Sequence, residues 1–179
     1  LSEIDANNAS GELYLTDVIG KAVARGLPCT AVRCAERETL GVNSRVELMQ
    51  AEKEFQNLRR TEALEDGVTM PAPETVHFSY DTVIGRDTII EQNVVFGPGV
   101  TVESGAQIRA FSHLEGAHVS RGCIIGPYAR LRPGAELAED VKIGNFVEIK
   151  ASALEEGAKV NHLSYIGDAH IGARANIGA

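Results

Sequence analysis

A hydrophobic residue recurs every five or six positions from Ile84 to Ile177, and this period constrains the fold more than any other feature of the chain. Thirteen of the sixteen steps between these anchor residues are six residues long and three are five. An α-helix of about 3.6 residues per turn cannot keep such a pattern on one face, and a β-strand alternates at every second residue. The anchors are Ile84, Ile90, Phe96, Val102, Ile108, Leu114, Val119, Ile125, Leu131, Leu137, Ile143, Ile149, Leu154, Val160, Ile166, Ile171 and Ile177.

Small or β-branched residues two positions before the anchors, such as Thr88, Ala106 and Ala129, indicate a narrow interior in which three short strands meet. Glycine and asparagine after the anchors, as at Gly144 and Asn145, suit tight corners. Three six-residue steps make a coil of about 18 residues, so residues 18 positions apart should stack at the inter-strand spacing of about 4.8 Å. These features predict a mainly β fold, a parallel β-helix of hexapeptide repeats. Its left-handed sense is taken from known proteins with this repeat.

The segment that ends at Gly67 has a different pattern. Within it, LTDVIGKAVARG predicts a helix with Asp17 as its N-cap and Gly26 at its end, and residues 28–34 are a candidate short strand. A long helix is predicted from Asn43 to Gly67. Because its apolar residues are sparse and its charges dense, we expect an exposed arm with only one buried stripe.

The composition argues against several classes of partner. There are 17 Lys and Arg residues against 25 Asp and Glu residues, and this formal net charge of −8 does not favour non-specific nucleic-acid binding. The sequence shows no apolar run long enough for a membrane span, no basic block and no signal-like start. Cys29, Cys34 and Cys123 follow no zinc-site spacing and are interpreted as reduced thiols, with Cys123 in an inward slot. We therefore expect a cytoplasmic protein with neither a nucleic-acid nor a membrane partner.

Two cations are predicted to stack on one corner, because Arg132 and Lys150 each follow an anchor and are 18 residues apart. Like charges this close repel each other unless an anion lies near them. One interpretation is a solvated ion pair with Glu148; the other is an anion site, in which Arg offers paired donors and Lys a point charge to a phosphate. The next coil carries His162 and Tyr165, and histidine is the side chain best suited to accept a proton near neutral pH.

Several motifs together resemble one known family. GPYARLRPGAEL, GNFVEIKAS, HLSYIGDAHIG and NIGA, with NNASGELYLTDVI and GVTMPAPETV, are similar to the bacterial bifunctional N-acetylglucosamine-1-phosphate uridylyltransferase / glucosamine-1-phosphate N-acetyltransferases. The match is collinear over nearly the whole chain. It implies a homotrimeric enzyme of UDP-N-acetylglucosamine synthesis, for peptidoglycan and lipopolysaccharide. It also implies that residues 1–41 end the uridylyltransferase domain, that residues 42–67 form a helical arm, and that residues 68–179 are the acetyltransferase β-helix.

The resemblance also implies site residues in the β-helix. By their motifs, Arg132 and Lys150 bind the phosphosugar, and His162 is the general base that deprotonates the sugar amine as it attacks the thioester of acetyl-CoA. Tyr165 binds the sugar or its phosphate, and Asn176 contacts the sugar. The implied substrates of this domain are glucosamine-1-phosphate and acetyl-CoA.

Two further positions lie near the ends of the chain. Ala179 is implied to begin the acetyl-CoA contacts, and Asn8 matches the family's magnesium-binding asparagine at the site that joins UTP and N-acetylglucosamine-1-phosphate. The chain begins after the Gly-rich nucleotide-binding loop and the metal-binding Asp of that family. We therefore expect an internal fragment that does not transfer UMP by itself and is inactive or incomplete as an acetyltransferase.

Three other functions use the same fold. Another hexapeptide-repeat acyltransferase would lack the combination of LRPGAEL with HLSYIGDA. A trimeric metal hydratase needs about three converging histidines, and the spacing of His113, His118 and His162 does not predict such a set. His118 and His170 occupy equivalent repeat positions and are interpreted, like His77 and His113, as surface residues. A non-catalytic trimerisation scaffold needs no site at all, and the stacked cations argue against it.

Overall fold

The computed structural model describes residues 4–178, which leaves Ala179, the implied start of the acetyl-CoA contacts, outside the described residues. The chain divides into two compact units, one ending at Gly41 and the other beginning at Val42. The helices are α1 (Asp17–Ala24) and α2 (Arg45–Glu65), with short 3₁₀ helices at Glu36–Thr39 and Pro73–Thr75. None of the helices in the described part of the chain is both long enough and apolar enough to cross a membrane.

In the first unit, the sequence predicts Asp17 as the N-cap of α1, but the helix begins one residue earlier than that prediction requires. Thr16 is at the N-cap position and makes no side-chain capping bond, so Asp17 is the first helical residue. The predicted end is confirmed, because Gly26 has a φ of +69° and its N–H donates to the Val23 carbonyl at 2.9 Å. The strand predicted at residues 28–34 is wrong. A strand requires a neighbouring backbone to pair with, and residues 4–41 contain no paired strand.

In the second unit, α2 confirms the long helix predicted between Asn43 and Gly67. It begins after Ser44, whose hydroxyl accepts a hydrogen bond from the Glu47 N–H at 3.2 Å. Such an N-cap satisfies one of the free donors at the start of a helix. The helix starts two positions after the predicted start and ends two positions before the predicted end.

One stripe of α2 packs on the first coil of the solenoid: Ala63 lies against the hydrophobic core, and polar side chains make hydrogen bonds beside it. Gln56 is the buried residue of this helix; its amide nitrogen donates to the Phe78 carbonyl at 2.7 Å and its amide oxygen accepts from the Phe78 N–H at 2.9 Å. Arg60 donates to the Val76 carbonyl from two of its nitrogens, at 2.9 and 2.8 Å. The helix therefore supplies hydrogen bonds to the backbone of the end coil, where buried polar groups need partners.

Seventeen short strands in the described residues form the solenoid. They are β1 (Val83–Ile84), β2 (Ile89–Ile90), β3 (Val95–Phe96), β4 (Thr101–Val102), β5 (Gln107–Ile108), β6 (His113–Leu114), β7 (Ala117–Val119), β8 (Ile124–Ile125), β9 (Arg130–Leu131), β10 (Ala135–Leu137), β11 (Lys142–Asn145), β12 (Glu148–Lys150), β13 (Ser152–Leu154), β14 (Lys159–His162), β15 (Tyr165–Gly167), β16 (His170–Ile171) and β17 (Asn176–Ile177).

Successive strands go to successive sheets, so three strands complete one coil. The first sheet contains β1, β4, β7, β10, β13 and β16; the second contains β2, β5, β8, β11, β14 and β17; the third contains β3, β6, β9, β12 and β15. All pairings are parallel, as between Leu131 and Ile149 or between Leu114 and Leu131. Paired residues are 18 positions apart where a coil has three six-residue steps, as for Leu131 and Ile149. They are 17 positions apart where one step has five residues, as for Leu114 and Leu131. The predicted parallel β-helix is confirmed, and its left-handed sense stays a prediction.

The anchor residues form the core, as predicted. Thirteen of the seventeen are almost fully buried, and the other four, Ile84, Ile166, Ile171 and Ile177, are partly buried. These four lie in the end coils, which have a neighbouring coil on one side only in the described residues. Cys123 occupies an inward slot, where burial raises the pKa of its thiol to about 12, so the thiol stays protonated near neutral pH.

Candidate active site

The predicted cation stack is present on the third sheet. The pairing of Leu131 with Ile149 continues to Arg132 and Lys150, and the Arg132 N–H donates to the Ile149 carbonyl at 2.8 Å. Lys150 is in turn paired with Gly167 on the next coil. Arg132 and Lys150 therefore project from neighbouring coils at the same edge of this sheet, and we call these two residues the cation column.

Each of the two cations has its own carboxylate. Arg132 Nη1 lies 2.8 Å from Glu148 Oε1, and Lys150 Nζ lies 3.2 Å from Asp168 Oδ2. The expectation that Glu148 would neutralise the pair is thus only half right, because Asp168 takes the second cation. Both pairs are partly exposed, and exposed ion pairs contribute only about 0–1 kcal/mol, so a doubly charged anion can compete with either carboxylate.

His162 is the last residue of β14 and lies at the corner between the second and third sheets. Its backbone is paired with Asn145, and its carbonyl accepts a hydrogen bond from the Ser164 hydroxyl at 2.8 Å. The side chain is exposed. Within residues 4–178 its ring makes no hydrogen bond or ion pair. An exposed imidazole with both nitrogens available can accept a proton from a bound substrate.

Tyr165 lies on the third sheet, and its ring packs over the backbone of Gly167. Its backbone is paired with Glu148, and its side chain is mostly exposed. A Cβ added at Gly167 would lie so close to the Tyr165 hydroxyl oxygen that the two could not coexist, and 2.6 Å from Cζ. Gly167 is paired with Lys150 on the neighbouring coil, so the phenol ring of Tyr165 lies beside the cation column.

Asn176 lies on the second sheet, separate from the cation column. It belongs to β17, where it is paired with Lys159 of the strand that ends at His162. Its side-chain oxygen accepts a hydrogen bond from Asn161 Nδ2 at 2.6 Å. The structure therefore groups Arg132, Lys150 and Tyr165 on the third sheet, whereas Asn176 and the His162 strand belong to the second.

Asn8 is in the first unit, and its side chain is occupied by local hydrogen bonds. Its amide oxygen accepts from the Ser10 N–H at 3.2 Å and from the Glu12 N–H at 3.3 Å, and its amide nitrogen donates to the Glu12 carbonyl at 2.6 Å. Magnesium prefers several oxygen ligands, commonly carboxylates, in octahedral geometry. Among residues 4–178 no group of three His, Cys, Asp or Glu side chains could hold a metal ion. The described residues, 4–178, therefore do not by themselves fit a magnesium site.

Two further histidines of the repeat, His118 and His170, pair with carboxylates on the first sheet. His118 lies between Glu103, at 3.1 Å, and Glu136, at 3.5 Å, and His170 lies 2.8 Å from Glu155. The hydrogen bond from His170 lowers the pKa of Glu155, with a smaller contribution from the Ala173 N–H. These pairs are partly exposed and lie on a different sheet from the cation column.

The comparisons with known proteins agree with the repeat and with the motifs. The family model "Bacterial transferase hexapeptide (six repeats)" matches residues 81–116 and 116–151. The bifunctional protein GlmU of Roseobacter denitrificans (strain ATCC 33942 / OCh 114) is 64% identical to this chain over 179 residues. That of Paracoccus denitrificans (strain Pd 1222) is 63% identical over 179 residues. The chain covers 40% of each, so it spans about two fifths of the length of these relatives. The resemblance drawn from the motifs is confirmed.

Solved structures similar to this chain share its fold. The acetyltransferase domain of PglB from Neisseria gonorrhoeae FA1090 matches with a TM-score of 0.54 at 14% identity, over 68% of this chain and 62% of that domain. The same domain in complex with acetyl coenzyme A matches with a TM-score of 0.50 at 16% identity, over 63% of this chain and 60% of the other. At these identities the likeness concerns the solenoid alone.

Proposed function

We propose, on the premise that this chain belongs to the GlmU family of bifunctional proteins, that its solenoid transfers an acetyl group from acetyl-CoA to glucosamine-1-phosphate. The observation that carries the proposal is the stack of Arg132 and Lys150 one coil before an exposed His162. The intact protein is a cytoplasmic homotrimer that also transfers UMP from UTP to N-acetylglucosamine-1-phosphate. Its product is the activated amino sugar of peptidoglycan and lipopolysaccharide synthesis.

The phosphate of the sugar binds at the cation column. Arg132 offers two parallel donors, and Lys150 adds a point charge on the neighbouring coil. The partly exposed carboxylates of Glu148 and Asp168 hold these cations in place until the phosphate replaces one or both ion pairs. Fixing the phosphate on a rigid sheet edge orients the rest of the sugar, and such orientation lowers the barrier to the acetyl transfer.

His162 is the general base of the acetyl transfer. The neutral sugar amine attacks the thioester carbonyl carbon, and the imidazole accepts the proton that the nitrogen loses. The C–N bond forms, the C–S bond breaks, and the coenzyme leaves as a thiolate that takes up this proton. A positioned base of this kind contributes about 10²–10⁴-fold to the rate.

Tyr165 and Asn176 complete the sugar contacts in this proposal. The phenol of Tyr165 lies over Gly167 beside the cation column, where its hydroxyl can hydrogen-bond to the sugar or its phosphate. Asn176 is an exposed residue on the second sheet. Ala179 begins the contacts to acetyl-CoA, a co-substrate supported by the acetyl coenzyme A complex of the PglB domain.

The domain division is part of the proposal. Residues 1–41 end the uridylyltransferase domain, residues 42–67 form the helical arm, and residues 68–179 form the acetyltransferase domain. The boundary between the compact units at Gly41 and the span of α2 support this division. Asn8 would be one magnesium ligand of the complete nucleotidyl-transfer site, and we derive no step through that ion.

Calorimetric titration of this 179-residue chain with N-acetylglucosamine-1-phosphate tests the proposed function. We expect Arg132→Ala to weaken binding on the order of 10- to 100-fold, because hydrogen bonds to a charged group are worth about 1.5–3 kcal/mol. Lys142→Ala is the matched control, because it removes an exposed cation from the second sheet of the same solenoid and should leave binding unchanged. Equal loss in both variants, or no loss in either, contradicts the proposed site.

A further inference from the structure

The side chain of Asn161 connects the strand that carries His162 to Asn176. Asn161 belongs to β14 and directly precedes His162. Its Nδ2 donates a hydrogen bond to Asn176 Oδ1 at 2.6 Å and a longer one to the Ile177 carbonyl at 3.4 Å. The function proposed above gives Asn176 a contact with the sugar, but it makes no use of Asn161.

These two hydrogen bonds determine which end of the Asn176 amide faces away from β14. A backbone carbonyl only accepts, so the Asn161 atom that approaches the Ile177 carbonyl is the amide nitrogen. The same nitrogen meets the side chain of Asn176, which therefore turns its oxygen toward Asn161. Within residues 4–178 the NH2 group of Asn176 donates no hydrogen bond, and the residue is exposed. This NH2 group is available to a ligand.

The backbone of Asn161 is held by a close contact with Gly144. Gly144 is a buried residue of β11, the strand that pairs with β14. A Cβ added at Gly144 would overlap the Asn161 carbonyl oxygen and would lie 2.7 Å from the carbonyl carbon. On its other side β14 is paired with β17, the strand of Asn176. Because both neighbouring strands fix the backbone, the Asn161 side chain reaches Asn176 from a defined position.

We propose that Asn161 is a positioning residue that makes Asn176 a hydrogen-bond donor to the N-acetyl carbonyl oxygen of the bound sugar. The inference rests on the proposed function and adds the residue that sets its preference for an acetylated ligand. In that function His162 acts at the sugar nitrogen, and the residue next to His162 holds the Asn176 amide. We therefore assign the Asn176 donor to the substituent of this nitrogen.

The orientation of the amide matters because the groups on the sugar nitrogen differ in what they can accept. A carbonyl oxygen accepts a hydrogen bond and has no proton to donate, whereas a protonated amine only donates. The NH2 group of Asn176 therefore favours the acetylated sugar. In the opposite orientation the Asn176 oxygen would face the carbonyl oxygen, and two acceptors leave each other without a partner. Such a loss weakens binding, so the rotation of one amide changes the preference between ligands.

Calorimetric titration of the full chain with two phosphosugars tests the inference. N-acetylglucosamine-1-phosphate carries the acetyl group, and glucose-1-phosphate has a hydroxyl on the same ring carbon. We expect the wild type to bind the acetylated ligand at least about fivefold more tightly, the value of one ordinary hydrogen bond. Asn161→Asp replaces the donor with a carboxylate, which only accepts, so Asn176 turns its NH2 group toward it. The preference should then fall below about twofold.

The ratio of the two affinities separates the orientation of Asn176 from the added charge. The new carboxylate can repel a phosphate, but this repulsion weakens both ligands alike. Asn57→Asp is the matched control, because Asn57 is an exposed residue of α2 and the same change there should leave the ratio at its wild-type value. Asn161→Leu removes the donor without adding charge. Its ratio should lie between those of the wild type and Asn161→Asp, because the Asn176 amide is then free to rotate.

Nuclear magnetic resonance of the ¹⁵N-labelled wild type gives a readout that needs no variant. The side-chain NH2 signals of Asn176 should shift when N-acetylglucosamine-1-phosphate is added and should stay in place with glucose-1-phosphate. Equal shifts with both ligands, or a wild-type ratio in Asn161→Asp, overturn the inference and leave the phosphate at the cation column. A wild type that binds neither ligand overturns the proposed function together with the inference.

Discussion

The third and first sheets of the solenoid both carry stacked charged side chains, but the order of the charges differs. On the third sheet two cations are neighbours, Arg132 and Lys150. On the first sheet His118 lies between two carboxylates, those of Glu103 and Glu136. The same repeat therefore places two cations side by side on one face, each with a carboxylate of its own, whereas on the other face a single histidine lies between two carboxylates. A phosphate can bridge two neighbouring cations, but the first sheet offers no such pair at His118.

The largest expected effect comes from reversing one charge of the cation column. Lys150→Glu places a carboxylate beside Arg132 and should weaken N-acetylglucosamine-1-phosphate binding by at least about 100-fold, because it removes one attraction and adds a repulsion. His118→Glu makes a comparable change on the first sheet and should alter binding less than about twofold. Calorimetric titration measures both variants. Similar losses in the two variants would remove the distinction between the sheets.

A smaller effect is expected from filling the space over which Tyr165 lies. Gly167→Ala introduces a methyl group that meets the phenol, and the φ of this glycine is not in the left-handed region, so the backbone accepts alanine. Displacing the hydroxyl from the cation column should weaken phosphosugar binding about fivefold, the value of one ordinary hydrogen bond. Gly172→Ala is the control, because its added Cβ meets nothing closer than 3.9 Å.

A double variant sharpens the test of Gly167. When Tyr165→Ala is already present, Gly167→Ala should have no additional effect on binding, because its role is to leave room for the ring. A full additional loss would show that the glycine acts through some other contact, and the placement of Tyr165 in the site would then be wrong.

The smallest effect concerns the first sheet and pH. The pKa of Glu155 is lowered in the folded protein by the hydrogen bond from His170, so its contribution to stability is present above the ordinary glutamate pKa of about 4.3. This contribution is lost as the pH falls through the lower folded pKa. Thermal unfolding of the wild type and of Glu155→Gln should therefore differ most near neutral pH and converge in acid. Phosphosugar affinity at neutral pH should be unchanged; a loss of affinity would mean that the first sheet takes part in binding.

The repeat is readable from the sequence because it depends on local chemistry. Anchors such as Leu131 and Ile149 must point inward in every coil, and their spacing alone predicts the stack of Arg132 on Lys150. The partner of Lys150 was missed, although Asp168 lies one coil further along the chain, because Glu148 is the nearer carboxylate in sequence.

The features that the sequence did not predict depend on which segments are neighbours in the folded chain. The strand predicted at residues 28–34 lacks a partner in the described chain, and β propensity alone does not form a strand. The stacked rings of Phe111, Tyr128 and Phe146 were not predicted, because these residues occupy corner positions, which the repeat pattern assigns to glycine and asparagine turns. The rings of Phe111 and Phe146 come into contact with Tyr128 only because their coils stack on one another.

Chemical-shift mapping on the ¹⁵N-labelled chain during titration with N-acetylglucosamine-1-phosphate shows directly where the phosphosugar binds. We predict that the largest shifts occur at the backbone amides of Arg132, Lys150 and Tyr165, with no comparable change at His118 or His170. Shifts concentrated on the first sheet, or spread evenly over the solenoid, would contradict the assignment of the phosphosugar site to the cation column.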